Sequence, residues 1–591
     1  MFDFSFWYTS ILLIGLTVIL VSEILEADIA IFSVLILLIL GGVINPREAF
    51  IGFSNHGMLT VGFLFVVAAA LQRTGVLNTV GEKLLGKQGS NTKNLFRFLP
   101  PVSAISAFFN NTPVVLMLIP VVNFWAKKNN KAVSKFLIPL SYAAILGGIC
   151  TLIGTSTTLV VHGLMLEKGL DGMTFFEISK IGIPVAIIGL LAIILVGHRF
   201  LPDRKDPITQ LGDQTREYVV VMKVGQDYQN TGKSIEKAGL RHLKGLFLFQ
   251  IERKGTLISP VTPEETIQVR DRLFFTGLPE TILDLQKEPG LYLLKNAIFD
   301  LKNYDSDRVG SFEVVISPNS PLIGKNIRKS DFRSKYNAVI VAIHRSGERI
   351  NKKIGDIILH PGDTLLILAK HEFFDRWYHS RDFYLVSKSV DISSKPKRYV
   401  FISSGVLVCM ILAMALNLVP ILVAVSIAAV ALILFKCISP HDAQNSVDWK
   451  VLIIIASAFG IAKGLENSGL AFYLANQLVI STQSMGILGM LIAVYVVTSI
   501  YTEIITNNAA AALVFPIAYS IASQSGIDPR PFLIAVAIAA SASFATPIGY
   551  QTNLMVYGPG GYRFKDFLKI GIPMNIFIGI IAITTIYLIY F

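Results

Sequence analysis

The sequence predicts an α-helical polytopic membrane protein, built as two inverted repeats around an α+β insert. Each repeat is expected to contain a re-entrant hairpin and a broken helix. Three observations support this fold class. The 591 residues are 53% hydrophobic, with a mean hydropathy of +0.59, which is far more apolar than a soluble chain of this length. Charged residues are concentrated in the middle of the chain, and two polar clusters recur in the two apolar parts.

The charge distribution divides the chain into two membrane parts and a soluble insert. Residues 199–398 contain 33 Lys and Arg and 25 Asp and Glu, whereas the other 391 residues contain only 19 and 15. The net charge of +12 is assigned to basic loops on the cytosolic side, because no basic stripe interleaved with aromatic residues indicates binding to nucleic acid. The predicted domains are a first repeat, two insert units and a second repeat, at 1–198, 199–300, 301–398 and 399–591.

Two polar clusters lie in otherwise apolar runs, 396 positions apart: Asn-Asn-Thr at 110–112 and Thr-Asn-Asn at 506–508. The same offset pairs Ser106 with Thr502. Each cluster lies between two apolar arms that are too short to cross a bilayer comfortably, at 95–109 and 112–126 and at 488–505 and 509–524. We therefore predict re-entrant hairpins with polar tips. Hydroxyl and amide groups supply dipoles without fixed charge, so these tips suit an anion together with small cations.

Each hairpin is followed by an apolar segment with an interrupted helical pattern. The first, 136–163, is interrupted at Gly147-Gly148 and at 154–158, which reads Gly-Thr-Ser-Thr-Thr. The second, 531–557, is interrupted at 545–549, which reads Ala-Thr-Pro-Ile-Gly. Non-helical backbone at membrane depth is tolerated only where protein or a water-filled cavity satisfies it. These breaks are therefore expected to line the same site as the tips.

The remaining apolar segments repeat in the same order in both halves. The pentapeptide Lys-Ile-Gly-Ile-Pro occurs at 180–184 and again at 569–573. Spans are predicted at 6–22, 29–44, 57–72, 181–198, 399–418, 420–436, 451–466 and 572–590. Each half has five crossings. Because this number is odd, the second half starts on the opposite side of the membrane from the first, and the repeats are inverted. With the insert in the cytoplasm, the inner loops hold 14 Lys and Arg and the outer loops five, so both termini are expected outside a multi-pass cell-membrane protein.

The insert looks duplicated. Gly-Lys-Ser-Ile at 232–235 resembles Gly-Lys-Asn-Ile at 324–327, and each precedes a similar strand, at 270–277 and 361–368. Alternating apolar runs, such as Ala338–Ile343, indicate small α+β units. The rest of the phosphate-loop signature is absent around the Gly-Lys-Ser sequence, so a small-molecule or nucleotide regulator of the insert stays open.

The two tips and the two breaks together resemble the divalent-anion/sodium symporter family. This resemblance implies a homodimeric elevator transporter of sulfate or of di- and tricarboxylates, coupled to Na⁺ and surrounded by lipid, with no tightly bound organic cofactor. The insert units resemble TrkA-C (RCK C-terminal) regulatory domains, as in the sulfate-transporter-like branch. The family's tips usually read Ser-Asn-Thr. In this chain Asn508 replaces the last hydroxyl, which bears on the substrate preference.

The resemblance also implies two sodium sites and one anion site. The first sodium site would use Ser106, Asn110, Asn111 and Gly154. The second would use Thr502, Thr506, Asn507, Ala545 and Pro547. The anion would lie against Asn111, Thr112, Ser156, Asn507, Asn508 and Thr546. Unwound carbonyl groups suit an oxygen-seeking cation and half-helix N-termini suit an anion, which agrees with this assignment.

The expected function is sodium-coupled symport of a divalent anion, with sulfate as the first candidate. A carrier of dicarboxylates or other oxyanions and an anion sensor without transport are the alternatives. A potassium channel would need a filter such as Thr-Val-Gly-Tyr-Gly, which the sequence lacks, and no nucleophile–base constellation indicates an enzyme. The polar clusters could also serve only as contacts between helices. Glu503 is either a coupling residue or the interfacial end of a hairpin arm.

Overall fold

The protein is described by a computed structural model. The description covers the whole chain except residues 1–2, 23, 75–88, 130, 205–218, 241–245, 255, 259–260, 263, 278–287, 295–309, 318–319, 346–347, 351–353, 371, 378–379, 381, 386–396 and 548. The boundary predicted between the two insert units, at residues 300 and 301, therefore lies outside the described residues.

The first part of the chain is helical. Its helices, within the described residues, are α1 (Phe4–Ser22), α2 (Ala27–Leu40), α3 (Pro46–Phe50), α4 (His56–Thr74), α5 (Asn91–Ser106), α6 (Asn111–Lys128), α7 (Leu137–Gly148), α8 (Ser156–Glu167) and α9 (Ser179–Ala192). Helix α9 continues through a π-helical segment, Ile193–Gly197, and a last turn, His198–Phe200. The predicted hairpin arms correspond to α5 and α6, and the predicted broken helix corresponds to α7 and α8.

The middle of the chain contains two five-stranded antiparallel sheets with one topology. The first has the strand order β3-β2-β4-β1-β5 and consists of β1 (Val219–Val224), β2 (Leu246–Arg253), β3 (Thr256–Ile258), β4 (Arg272–Gly277) and β5 (Leu291–Leu293). The second has the order β10-β6-β9-β7-β8 and consists of β6 (Gly310–Ile316), β7 (Ala338–Arg345), β8 (Glu348–Arg349), β9 (Thr364–Ala369) and β10 (Phe383–Leu385), with the short helices α10 (Phe332–Tyr336) and α11 (Glu372–Trp377).

The two sheets pack against each other. Strand β9 is buried along its whole length because its two faces meet different surfaces. Successive side chains of a strand point to opposite faces. Leu365 and Ile367 accordingly join the core of their own unit, whereas Leu366 and Leu368 pack in a second cluster with Phe249 of the first sheet.

An aspartate and an arginine form a two-point ion pair in each unit, Arg253 with Asp271 and Arg345 with Asp363.

The last part of the chain is helical again. Its helices, within the described residues, are α12 (Lys397–Ala415), α13 (Ile421–Leu434), α14 (Pro440–Ser446), α15 (Trp449–Asn467), α16 (Leu470–Thr482), α17 (Gly486–Ile504), α18 (Asn507–Gln524), α19 (Arg530–Ser541), α20 (Gln551–Tyr557) and α21 (Phe564–Tyr590). Helix α16 was not predicted from the sequence. Helix α21 begins at Phe564, before the start of the predicted span 572–590. The second Lys-Ile-Gly-Ile-Pro therefore lies inside α21.

The lengths and compositions of the helices indicate a multi-pass membrane protein. Within the described residues, five helical stretches are long and apolar enough to cross a bilayer, and a sixth results if α14 and α15, bent by 51°, count as one. The five are Pro46–Thr74, Ser179–Phe200, Arg398–Ala415, Gly486–Ile504 and Phe564–Tyr590. Most of the hairpin arms, and the halves of the broken helices, are shorter than these spans.

The repeated pentapeptide packs directly on the two breaks. A Cβ atom on Gly182 in α9 would overlap the carbonyl oxygen of Ile149, at the end of α7. A Cβ atom on Gly571 in α21 would overlap the carbonyl oxygen of Phe544, just after α19. Backbone can approach backbone this closely only where no side chain intervenes. The glycine in each copy of the pentapeptide thus allows its helix to contact the backbone of one unwound segment.

Candidate functional site

Each polar tip contains the same internal hydrogen bond. In the first tip, the Ser106 hydroxyl donates to Oδ1 of Asn111 at 2.7 Å. In the second, the Thr502 hydroxyl donates to Oδ1 of Asn507 at 2.9 Å. Ser106 and Thr502 are both 0% exposed. The sequence offset of 396 residues therefore pairs residues with equivalent contacts.

Each tip also contacts the break of the other half. The Thr112 hydroxyl donates to the side-chain oxygen of Gln551 at 2.9 Å, at the start of α20. The Ser156 and Thr157 hydroxyls, at the start of α8, donate to Oδ1 of Asn508 at 3.1 and 3.2 Å. The first tip therefore meets the second broken helix, and the second tip meets the first.

A tyrosine joins these contacts into one centre. Nδ2 of Asn111 donates to the Tyr550 hydroxyl at 2.5 Å, and that hydroxyl also interacts with the side chain of Thr155. Tyr550 directly precedes α20, and Thr155 directly precedes α8. Helices α6, α8, α18 and α20 thus all begin at this centre, with their N–H ends directed at it. The tips and the starts of these helices carry no Lys or Arg, and Glu503 in the second tip is their only charged residue. Apart from Glu503, hydroxyls, amides and backbone dipoles make up the polar surface of this centre.

The first break is held by neutral groups. The Thr151 hydroxyl donates to the carbonyl oxygen of Ala107, and the Ser179 hydroxyl donates to that of Cys150 at 2.5 Å. A Cβ atom on Gly154 would overlap the carbonyl oxygen of Gly148 and lie 3.0 Å from that of Ala107. Gly154 is therefore placed among the backbone oxygens of Gly148 and Ala107.

The second break is held by side chains from both halves. The Tyr142 hydroxyl donates to the carbonyl oxygen of Phe544 at 2.6 Å. The Asn553 side chain donates to the carbonyl oxygens of Ser543 and Thr546, each at 3.1 Å, and accepts from the Ser141 hydroxyl at 2.7 Å. These donors come from α7 and α20, so the two breaks support each other.

Two carbonyl groups of the second break remain open. The carbonyl oxygens of Ala545 and Pro547 accept no hydrogen bond from the part of the chain that is described, and the same holds for Gly154 in the first break. The Thr546 hydroxyl donates to the carbonyl oxygen of Glu503 at 3.0 Å, as Thr151 does to Ala107. Carbonyl oxygens freed by the unwinding of a helix can coordinate a hard cation such as Na⁺.

A small cavity of about 30 Å³ lies beside the first tip. Its polar lining comes from Asn110 and Ser156, and its apolar lining comes mainly from α4, including Val61, Leu64 and Phe65. The side chain of Asn110 accepts from the backbone N–H of Thr112 at 3.5 Å. Asn110 therefore faces this cavity as well as the tip, whereas Ser106 and Asn111 are enclosed.

The structure brings together most of the residues that the sequence singled out. Thr506 is exposed at the tip, and its side chain makes no hydrogen bond among the described residues. Sequence reasoning missed Thr157, Tyr550, Gln551 and Asn553. An offset of 395, one less than that of the tips, contained a signal for two of them, because it pairs Tyr550 with Thr155 and Gln551 with Ser156. Thr157 and Asn553 are defined only by their contacts across the two halves.

Comparison with known families agrees with a polytopic membrane protein. A family model described as citrate transporter (CitMHS) matches the chain over residues 17–530 and 508–591. The chain belongs to the citrate transporter family. Membership in the citrate transporter family indicates a membrane transporter and not an enzyme.

Relatives of this citrate transporter family member include algal and cyanobacterial proteins. A proposed sulfur deprivation response regulator of Chlamydomonas reinhardtii is 35% identical and covers 97% of this chain and 99% of its own length. The uncharacterized transporter sll0640 of Synechocystis is 30% identical and covers 100% of this chain and 98% of its own length. Sodium/sulfate cotransporter 1 of Chlamydomonas reinhardtii is 26% identical, over 92% of this chain and 85% of its own length. These similarities support an anion transporter of the divalent-anion/sodium symporter family.

Proposed function

We propose that this protein is a sodium-coupled symporter of a divalent anion, with sulfate as the first candidate. The observation that carries the proposal is the crossed contact of two polar tips with two helix breaks around one centre that lacks basic residues. The names of the sodium/sulfate cotransporters support sodium and sulfate as the transported pair.

The anion is proposed to lie between the tips. Asn111, Thr112, Asn507 and Asn508 would supply amide and hydroxyl groups, and Ser156, which bonds to Asn508, and Thr546 would add hydroxyls from the breaks. Helices α6, α8 and α18, with 18, 12 and 18 residues, direct their positive ends to this place. Because no fixed positive charge is present in these motifs, a divalent anion would need bound cations to offset its charge.

Sodium ions are the proposed source of that charge. The first site would combine Ser106, Asn110 and Asn111 with the open carbonyl of Gly154. The second would combine Thr502, Thr506 and Asn507 with the open carbonyls of Ala545 and Pro547. These oxygen atoms fit a hard cation. Since each middle asparagine serves a cation site and the anion site, sodium and anion binding would be coupled.

The transport movement is proposed to follow an elevator mechanism with inverted repeats in a homodimer. Residues 1–72 and 399–466 would form the scaffold, and residues 95–198 and 488–591 would move. An ion pair between Lys168, directly after α8, and Glu466 of α15 crosses this proposed boundary. Such a pair would have to break and re-form as the moving unit travels.

The insert is proposed to be cytoplasmic, to consist of two TrkA-C-like units and to regulate transport. Its second sheet contacts the moving unit: a Cβ atom on Gly558, after α20, would overlap the Thr364 hydroxyl and lie 2.9 Å from the carbonyl oxygen of Gly362. Val315 of β6 is buried in the main helical core. A ligand of the insert could shift transport only by binding one state better than the other.

The testing experiment is uptake by purified protein in proteoliposomes. Labelled sulfate, succinate and citrate are compared, each with and without an inward sodium gradient. Sulfate uptake that requires sodium is expected. A di- or tricarboxylate carrier is the second candidate, because the family model is that of citrate transporters. Sulfate binding without uptake would instead indicate a sensor, which the name of the sulfur deprivation relative favours.

A further inference from the structure

One charged side chain breaks the correspondence between the two halves. Glu503 of α17 occupies the position of Ala107 in the first half, at the same offset of 396 residues. Its carboxylate accepts hydrogen bonds from three consecutive backbone N–H groups of the second break, those of Phe544 at 2.8 Å, Ala545 at 3.0 Å and Thr546 at 2.8 Å. The first break has no carboxylate at this place.

The carboxylate is fixed from a second side by an asparagine of α21. Nδ2 of Asn575 donates to Oε1 of Glu503 at 2.7 Å, and Oδ1 of Asn575 accepts from the N–H of Phe544 at 3.1 Å. Within the described residues, no Lys, Arg or His forms an ion pair with Glu503. The negative charge is therefore met by dipoles alone, and a net negative charge remains beside the open carbonyls of Ala545 and Pro547.

These contacts place the carboxylate of Glu503 against the second break. Glu503 is the next-to-last residue of α17, and its half-buried side chain is directed at the backbone of the break. Three N–H donors on one carboxylate also set the direction of the peptide groups they belong to. The Ala545 carbonyl lies in the same peptide group as the N–H of Thr546. Because that N–H is bonded to Glu503, as is the N–H of Ala545 itself, the direction of the carbonyl is fixed.

We infer that the two proposed sodium sites are unequal, and that Glu503 makes the second site the tighter one. Glu503 is a positioning residue, since it acts through the backbone of the break and through its charge, with no direct contact to the ion. A charge near a cation in a poorly screened interior changes its binding substantially. The inference rests on the proposed sodium coupling.

The test is a sodium titration of the full-length protein in detergent, without anion. Sodium chloride replaces choline chloride at constant ionic strength, and the midpoint of thermal unfolding reports binding. The wild type is expected to show two phases. Glu503→Gln should lose the tighter phase, with half-saturation at least about tenfold higher, and retain the weaker one. Thr502→Ala should do the same, whereas Ser106→Ala should lose only the weaker phase.

Glu503→Asp is the matched control, because it keeps the charge while shortening the side chain. It is expected to lower the unfolding midpoint and still retain the tighter phase. If Glu503→Gln does not fold, the Ser106→Ala and Thr502→Ala pair decides between the two sites. A Glu503→Gln protein with a lower midpoint but an unchanged sodium curve would make Glu503 a purely structural clamp and overturn the inference.

Two other outcomes separate this inference from the proposed function. A single phase in the wild type, or loss of the tighter phase in Ser106→Ala, would overturn the inequality of the sites while leaving sodium coupling intact. A wild type that does not respond to sodium, and whose sulfate uptake is independent of a sodium gradient, would overturn the proposed coupling itself.

Discussion

The side-chain amide of Asn111, in the first half of the chain, donates a 2.5 Å hydrogen bond to the hydroxyl of Tyr550 in the second half. The same asparagine accepts from Ser106 through its oxygen. One side chain is therefore shared between its own tip and the opposite break. Any ligand that displaces either hydrogen bond changes the position of the other partner, which is a physical route for coupling between sites.

The first prediction concerns the middle asparagines. Asn111→Ala and Asn507→Ala should each weaken sulfate binding about ten- to a hundredfold, since a hydrogen bond to a charged group contributes roughly 1.5–3 kcal/mol. Each change should also raise the sodium concentration for half-maximal binding, because sodium and anion must affect each other's affinity equally. Sodium titrations of sulfate binding to the purified variants measure both effects.

Ser106→Ala and Thr502→Ala are the controls for this experiment. They should shift the sodium dependence but leave anion affinity nearly normal at saturating sodium. Sodium curves that stay unchanged in all four variants, with transport intact, would mean that the tips are structural and that the assignment of the site is wrong.

The second prediction concerns the two glycines that pack against the backbone of the breaks. Gly571→Ala and Gly182→Ala should lower the free energy of unfolding by about 1–3 kcal/mol, because the new methyl group overlaps a backbone carbonyl. Gly405→Ala in α12 is the matched control, since its Cβ would meet no atom within 4 Å. An alanine in an open helical position favours the helix by up to about 1 kcal/mol. Thermal unfolding of the purified proteins distinguishes the variants, and equal stability of Gly571→Ala and wild type would refute the role of this contact.

The third prediction tests the contact between the insert and the moving unit. Gly558→Leu should displace the second sheet from the loop after α20, because the space is filled by Thr364 and Gly362. Sulfate uptake should change in rate, while equilibrium sulfate affinity stays within about twofold, since the insert does not contribute to the anion site. Gly405→Leu serves as the control. Loss of sulfate binding in a folded Gly558→Leu protein would contradict a purely regulatory role.

The fourth prediction tests the proposed movement. With the three native cysteines replaced, Lys168→Cys and Glu466→Cys are joined by a bifunctional thiol reagent in membranes. Because the ion pair between these residues crosses the proposed boundary, the cross-link should stop sulfate uptake but leave binding intact. Reduction of a cleavable reagent should restore uptake. Continued transport in the cross-linked protein would show that α8 and α15 do not move relative to each other.

Much of the architecture could be predicted from local sequence. Apolar length and the polar interruptions located the arms and both breaks within a few residues, because a helix in a bilayer must satisfy its own backbone and shows clearly where it does not. The repeat offset also paired Ser106 with Thr502 and Asn111 with Asn507. The structure shows the same hydrogen bond in both halves, from the hydroxyl to the asparagine side chain.

Other features were decided only by the tertiary structure. Tyr550, Thr157 and Asn553 act through partners hundreds of positions away, and no local pattern indicates which distant segment a tyrosine or asparagine will meet. Glu503 could not be placed for the same reason: whether a carboxylate in a membrane segment faces lipid headgroups or three backbone N–H groups depends on where the second break folds back. The sequence by itself determined which elements exist and which residues are polar, because hydrophobic length and helix interruption are local properties. The tertiary structure decided which of those polar groups meet, because their partners are brought together only by packing of the two halves.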